Sequence, residues 1–295
     1  SIGSGLATSI GGLSVFCDRV TTQAQGKILA SALALSGGVM LYVSFIEIFA
    51  KALASLEEAM EPNVAMGITT VCFFGGMAIA AGLEVMVHAL MHITGGHHSH
   101  EIVPPPAPES EVDAEATGGE LAQVREDTPD HGHKHDTSAE SEKEGMKRTA
   151  LLTALAITLH NFPEGLATFI ATIAEPALGV ALAVAIAVHN IPEGMAVAMP
   201  VYYSSGSKMK AFLWASLSGL SEPIGGCIGW LILKDSLSDV GFGVVFSMVG
   251  GMMVFIVIHE MLPIAVKYEP NTTYTTAWVT LGMMVMALSI VLFII

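Results

Sequence analysis

Long apolar runs separated by short polar breaks dominate this chain. A helix needs roughly 20 apolar residues to span the hydrocarbon of a bilayer, and eight stretches meet or approach that length. They lie near 2–17, 28–50, 64–92, 149–173, 177–202, 211–233, 241–264 and 275–295. The first is short; the sequence opens apolar at Ser1 without an initiator Met, so this helix is expected to have lost its start. The expected fold class is an all-α integral membrane protein with eight transmembrane helices. One segment, 95–147, breaks the pattern. It is rich in Pro, Glu, Asp, Ser and His and has too little apolar surface to fold alone, so it reads as a long disordered loop between helices 3 and 4. Residues 1–94 carry helices 1–3 and residues 148–295 carry helices 4–8, and the two together are expected to form one membrane domain.

Composition agrees. Charged residues make up 13% of the chain, against about 25% in soluble proteins, and the mean hydropathy is +0.62. The implied partner is a lipid bilayer. The net charge of −15 is local, since thirteen of the 27 acids fall between Glu101 and Glu144. No basic surface points to nucleic acid. Cys17, Cys72 and Cys227 stand singly, which argues against a disulfide framework or a cysteine zinc knuckle. Basic residues near helix ends stay cytoplasmic. With eight spans, ten of the twelve basic residues share one face, leaving Lys51 and Lys234 opposite. Both termini are therefore expected outside the cytoplasm, and the acidic, histidine-bearing loop inside it. Whether the membrane is a plasma, inner or organellar one is not legible.

Two apolar helices are interrupted by HNFPEG at 160–165 and HNIPEG at 189–194. Ionisable groups inside a membrane must face protein or water and find partners. His160 and Glu164 are four apart and share a helix face, as do His189 and Glu193. Pro163 cannot donate to the carbonyl of Leu159, nor Pro192 to that of Val188, so each helix is expected to kink and free a carbonyl. The turn between helices 4 and 5 falls near Glu175 and Pro176. At about 1.5 Å per residue, both motifs then lie near the midplane, side by side. Helix 6 brings Glu222 in SEPIGG (221–226) to the same level. Three carboxylates crowded in low dielectric repel, and a divalent cation or shared protons must relieve them.

A second group comprises Glu84, His88 and His92, spaced by four on helix 3, with His259 and Glu260 on helix 7. These are expected to form a cytoplasmic exit, although interfacial His and Glu also snorkel to water without binding anything. Glu47, toward the outer end of helix 2, is a candidate entrance residue or a packing residue. In the loop, His97, His98, His100, His131, His133 and His135 suit weak metal buffering on a flexible chain, or an inert linker. The 17 methionines are scattered and read as packing. Paired glycines at 37–38, 75–76, 225–226 and 250–251 read as close helix approaches. Asn271-Thr272-Thr273 matches a glycosylation acceptor but falls on the cytoplasmic side, and is expected to be unmodified.

The motifs HNFPEG, HNIPEG and SEPIGG, preceded by a histidine-rich loop, resemble those of the ZIP family of metal transporters over all eight spans. HNIPEG on helix 5 is similar to the bacterial zinc permease and GufA-like branch. The resemblance implies a two-metal centre at the midplane. His160, Glu164, His189 and Glu193 would hold one ion. Asn161, Glu164, Asn190, Glu193 and Glu222 would hold the other, with Glu164 and Glu193 bridging. It also implies uptake toward the cytoplasm, a homodimer, and movement of helices 1, 4, 5 and 6 against helices 2, 3, 7 and 8.

Mixed imidazole and carboxylate donors suit Zn2+ as the substrate and also accommodate Fe2+, Mn2+, Co2+ and Cd2+. The same residues could line a metal-selective channel. His259-Glu260 begins like a zinc hydrolase motif, but the position needing a second His is Pro263, so no enzyme is expected. The basic-residue distribution predicts that tags at 1 and 295 face the outside and that the 97–145 segment faces the cytoplasm. Labelling of a cysteine engineered into that segment, by an impermeant reagent on intact cells, would reverse the assignment.

Overall fold

In hydrocarbon every backbone N–H and C=O must be paired within its own segment, and the described elements meet that constraint with helices throughout. The computed structural model describes residues 2–17, 25–93, 154–155, 157–159, 161–173, 176–233 and 238–294. Helix α1 runs Ile2–Gly12 and tightens into a 3₁₀ turn at Leu13–Phe16. Helix α2 begins at Gln25–Tyr42, widens into a π turn at Val43–Ile48 and continues as Phe49–Glu57. Helix α3 is Pro62–Ile93, and the next helix, α4, is continuous over 161–173. Helix α5 is Pro176–Ser205. Helix α6 is Lys208–Gly219 followed, after Leu220, by Ser221–Leu233. Helix α7 joins Asp239–Ile256, a π turn at Val257–Met261 and Leu262–Tyr268, and α8 is Thr272–Ile294.

Among the described residues, five helical runs are long and apolar enough to cross a membrane: Gly26–Glu57, Pro62–Met86, Leu182–Ser205, Asp239–Tyr268 and Thr272–Leu292. Ile2–Phe16 is a shorter apolar helix. The expected loop, 95–147, and its six histidines lie outside the described residues. Helix α2 outlasts the expected 28–50 because it continues through the π turn, burying Ala52 and Leu56 beside Gly243 of α7. The backbone of α6 stays in the right-handed helical region through Leu220, whose N–H donates to the Ser216 carbonyl and whose carbonyl accepts from the Ile224 N–H, so the run expected over 211–233 is helical throughout. Pro223 has no N–H for the carbonyl of Gly219. Helix α5 likewise runs on through Pro192 and Pro200. Polar caps end the helices at their loops. Ser207 accepts from the Lys210 N–H at 3.3 Å and Ser238 from that of Gly241 at 3.2 Å. Asn271 Oδ1 accepts from the Thr273 N–H at 3.1 Å, so this side chain caps α8.

Packing sorts the helices into two groups. Helix α1 lies along α5 and α6; α7 lies along α3 and α2, and α8 along α2. The groups meet where α5 packs on α2 and, less extensively, on α8. Backbone-to-backbone crossings hold each group together. A Cβ on Gly165 would overlap the backbone of Glu222, and one on Gly225 that of Phe162, so α4 and α6 touch at main-chain distance. Gly194 meets Thr8 and Gly11 meets Ile191 in the same way between α5 and α1. Close approach at small residues is how membrane helices gain dispersion contacts when lipid removes the hydrophobic drive. Helices α3 and α8 are only 28% and 17% buried over their apolar spans, so they present most of their surface outward.

These crossings predict a position-specific cost. Gly165→Val should lower the apparent unfolding midpoint by the equivalent of about 1–3 kcal/mol. Gly75→Val, where a Cβ meets nothing within 4 Å, should change it by less than about 0.5 kcal/mol. Thermal unfolding of the two purified variants in one detergent checks the contrast, and equal losses would contradict it.

Candidate metal centre

The residues that sequence reasoning placed at the midplane are buried together. Asn161, Glu164, His189, Asn190, Glu193 and Glu222 are each at most 1% exposed. Local sequence explains the convergence. Each glutamate of the paired motifs is followed by the glycine at which its helix crosses a neighbour, Gly165 against α6 and Gly194 against α1. The backbone is therefore clamped one residue beyond each carboxylate. Glu164, His189 and Glu193 form one cluster, with a ligand atom from each lying within 4.8 Å of the others. His189 Nε2 and Glu164 Oε1 are 2.9 Å apart. Two carboxylates and an imidazole at that spacing are a donor set for a divalent transition metal. His160 lies outside the described residues.

Asn161 is adjacent. Its amide nitrogen donates to Glu193 Oε2 and to the Ile157 carbonyl, each at 3.1 Å, so it serves that carboxylate directly.

Glu222 stands slightly apart, outside the three-residue cluster. Its Oε2 accepts from Asn190 Nδ2 at 2.8 Å, and its Oε1 accepts from the Ser4 hydroxyl. Asn190 Nδ2 also donates to the Ser4 carbonyl at 3.0 Å. From the other helix group, the Ser36 hydroxyl donates to the His189 carbonyl at 3.3 Å. Sequence reasoning missed both serines. Ser4 and Thr8 form a small polar stripe on α1, but lone hydroxyls in apolar helices usually bond their own backbone, as Thr168 and Thr172 do here, so the signal carries little weight.

The second group is partly joined. His259 Nε2 lies 2.7 Å from Glu84 Oε1, and Phe255 stacks on the imidazole at 5.0 Å. Each partner sits nine residues short of its helix end, at Tyr268 and Ile93. Each is therefore roughly 13 Å along the axis from that end, and Val257, two residues before His259, packs beside Gly37 of α2. Glu260 lies in the same π turn. The side chains of His88 and His92 lie outside those described. Glu47 sits in the π turn of α2, eleven residues from Ser36 and hence roughly 16 Å along the axis, too far to join the cluster.

Comparison with known proteins agrees with this donor set. A family model described as ZIP Zinc transporter matches residues 1–290. The chain belongs to the ZIP zinc transporter family. A zinc transporter ZupT from Clostridium perfringens is 39% identical over 99% of this chain and 93% of its own length. Similar proteins of the same name from Nitratidesulfovibrio vulgaris and Stenotrophomonas maltophilia are 41% and 40% identical over 98% and 99% of the chain, and 94% of their own lengths. Membership in a transporter family, with five helices able to cross a bilayer, makes this a multi-pass integral membrane protein and not an enzyme.

The contact between Glu84 and His259 predicts coupled effects. Glu84→Ala and His259→Ala should each slow zinc flux into vesicles several-fold, and the double variant should lose no more than the worse single one. Additive losses would show that the two residues act separately.

Proposed function

We propose that this chain carries zinc across a bacterial inner membrane into the cytoplasm, through a centre built on Glu164, His189 and Glu193. The observation that carries the reading is the burial of these three groups, ligand atoms within 4.8 Å of one another, inside a bundle of largely apolar helices. Burying a carboxylate costs several kcal/mol unless it is paired, and a second carboxylate alongside adds repulsion. A divalent ion relieves both. The zinc transporters among the relatives support zinc as the ion carried.

In this reading zinc loses its hydration shell to two carboxylates and one imidazole, and the contact between His189 and Glu164 opens as Nε2 turns to the metal. His160 completes the first site. Asn161, Asn190 and Glu222 add oxygen donors for a second ion, which Glu164 and Glu193 bridge. Glu84 and His259 receive the ion on its way to the cytoplasm, Glu260, His88 and His92 extend that path, and Glu47 stands toward the entrance. Eight spans place both termini outside, with 1–94 and 148–295 forming one membrane domain around a cytoplasmic 95–147 segment. The functional unit is a homodimer. Fe2+, Mn2+, Co2+ and Cd2+ satisfy the same donors and are expected competitors.

Glu164→Gln and Glu193→Gln keep side-chain volume and one oxygen donor but remove a charge from the cluster. Each should abolish nearly all zinc flux into proteoliposomes, while Glu222→Ala leaves partial flux. Wild-type flux in both Gln variants at normal membrane levels would show the glutamates to be structural. Saturation at low zinc and strong temperature dependence in the wild-type protein would separate a carrier from a channel.

A further inference from the structure

Helix α1 carries no residue of the expected metal sites, yet it reaches Glu222 and Asn190 through a single residue. We propose that Ser4 restrains the second ion site in its empty form, its hydroxyl and carbonyl clasping Glu222 to Asn190 across α1, α5 and α6 so that an ion must displace the hydroxyl to bind. The inference rests on the reading of this centre as a metal site. Ser4 is 2% exposed, and its hydroxyl donates to Glu222 Oε1. Asn190 Nδ2 bridges Glu222 Oε2 at 2.8 Å and the Ser4 carbonyl at 3.0 Å. Both oxygens of Glu222 are thus engaged by donors, and each donor stands where a cation would compete.

Asn190 Oδ1 is buried and has no hydrogen-bond donor among the described residues. An oxygen ligand is therefore available on the side chain whose nitrogen closes the clasp. The clasp is rigid because its backbone is. Gly5, next to Ser4, crosses Gly219 at main-chain distance, and Gly219 is the residue whose carbonyl Pro223 leaves without a helical partner. The backbone of Ser4 cannot retreat from Glu222 without separating α1 from α6, so the hydroxyl leaves Glu222 only by rotating about χ1. The consequence is that the second ion binds against the clasp, displacing the Ser4 hydroxyl from Glu222, while the cluster of Glu164, His189 and Glu193 binds the first ion independently of it.

Zinc titration of the purified full-length protein by calorimetry in detergent, in wild type, Ser4→Ala, Ser4→Gly and Ser4→Thr, tests this. A hydrogen bond to a charged buried group is worth enough that its loss should tighten the second zinc by about tenfold in Ser4→Ala and Ser4→Gly. The first zinc should be unchanged, and Ser4→Thr, which keeps the hydroxyl, should match wild type. Two variants lacking the hydroxyl guard against one that folds poorly. An unchanged second zinc in both would overturn the proposal, and so would a weakened one, which would make the hydroxyl a ligand. If wild type binds no zinc at all, the metal reading itself fails and the clasp with it.

Discussion

Three carboxylates buried side by side in a lipid-embedded bundle set the terms for everything else in this structure. Glu164, Glu193 and Glu222 are essentially unexposed, and the desolvation cost of each falls only when donors or a cation approach. Hydrogen bonds from Ser4 and Asn190 hold Glu222, and the imidazole of His189 lies against Glu164. The Asn161 amide nitrogen donates to Glu193. The network therefore offsets part of that cost with hydrogen-bond donors drawn from α1, α4 and α5.

The same hexapeptides that supply ligands also supply the packing that aims them. In HNFPEG and HNIPEG the final glycine is the crossing point of its helix, so ligand position and helix distance are fixed within two residues. SEPIGG repeats the arrangement with a different order. Glu222 precedes Pro223, and Gly225 meets Phe162 of the first motif. A larger side chain at these glycines would separate the helices and move the carboxylates apart together. Packing and chemistry are not separable at these positions.

Much of this was legible because the signals were local. Apolar runs gave the helices, and paired His, Asn and Glu at spacings of four put ligands on one face. Depth, counted from the turn near Glu175 and Pro176, put the two motifs side by side. What stayed hidden depends on contacts distant in sequence. Ser4 meets Glu222 across 218 residues and Ser36 meets His189 across 153. Nothing in a short run of Gly, Ser, Ala and Thr distinguishes such hydroxyls from those bonded to their own helix. The π turns at Val43–Ile48 and Val257–Met261 were equally silent, since an extra residue per turn leaves no composition signal. Their effect is tangible, because one carries Glu47 and the other His259 and Glu260.

The position of His189 shows how the centre is tied to the whole molecule. Helix α5 belongs to the group containing α1 and α6, yet it is also the helix that meets α2 of the other group. At that seam the Ser36 hydroxyl donates to the carbonyl of the residue whose imidazole belongs to the metal cluster. The imidazole therefore faces the centre while the backbone of the same residue is held from across the boundary. In the proposed reading, an ion that reorients His189 would act on a bond crossing between the groups. At 3.3 Å this is a long hydrogen bond, which breaks and re-forms at small cost. The proposed centre is thus anchored in one group and lightly tethered to the other, so binding of the cargo there would be felt at the boundary between them.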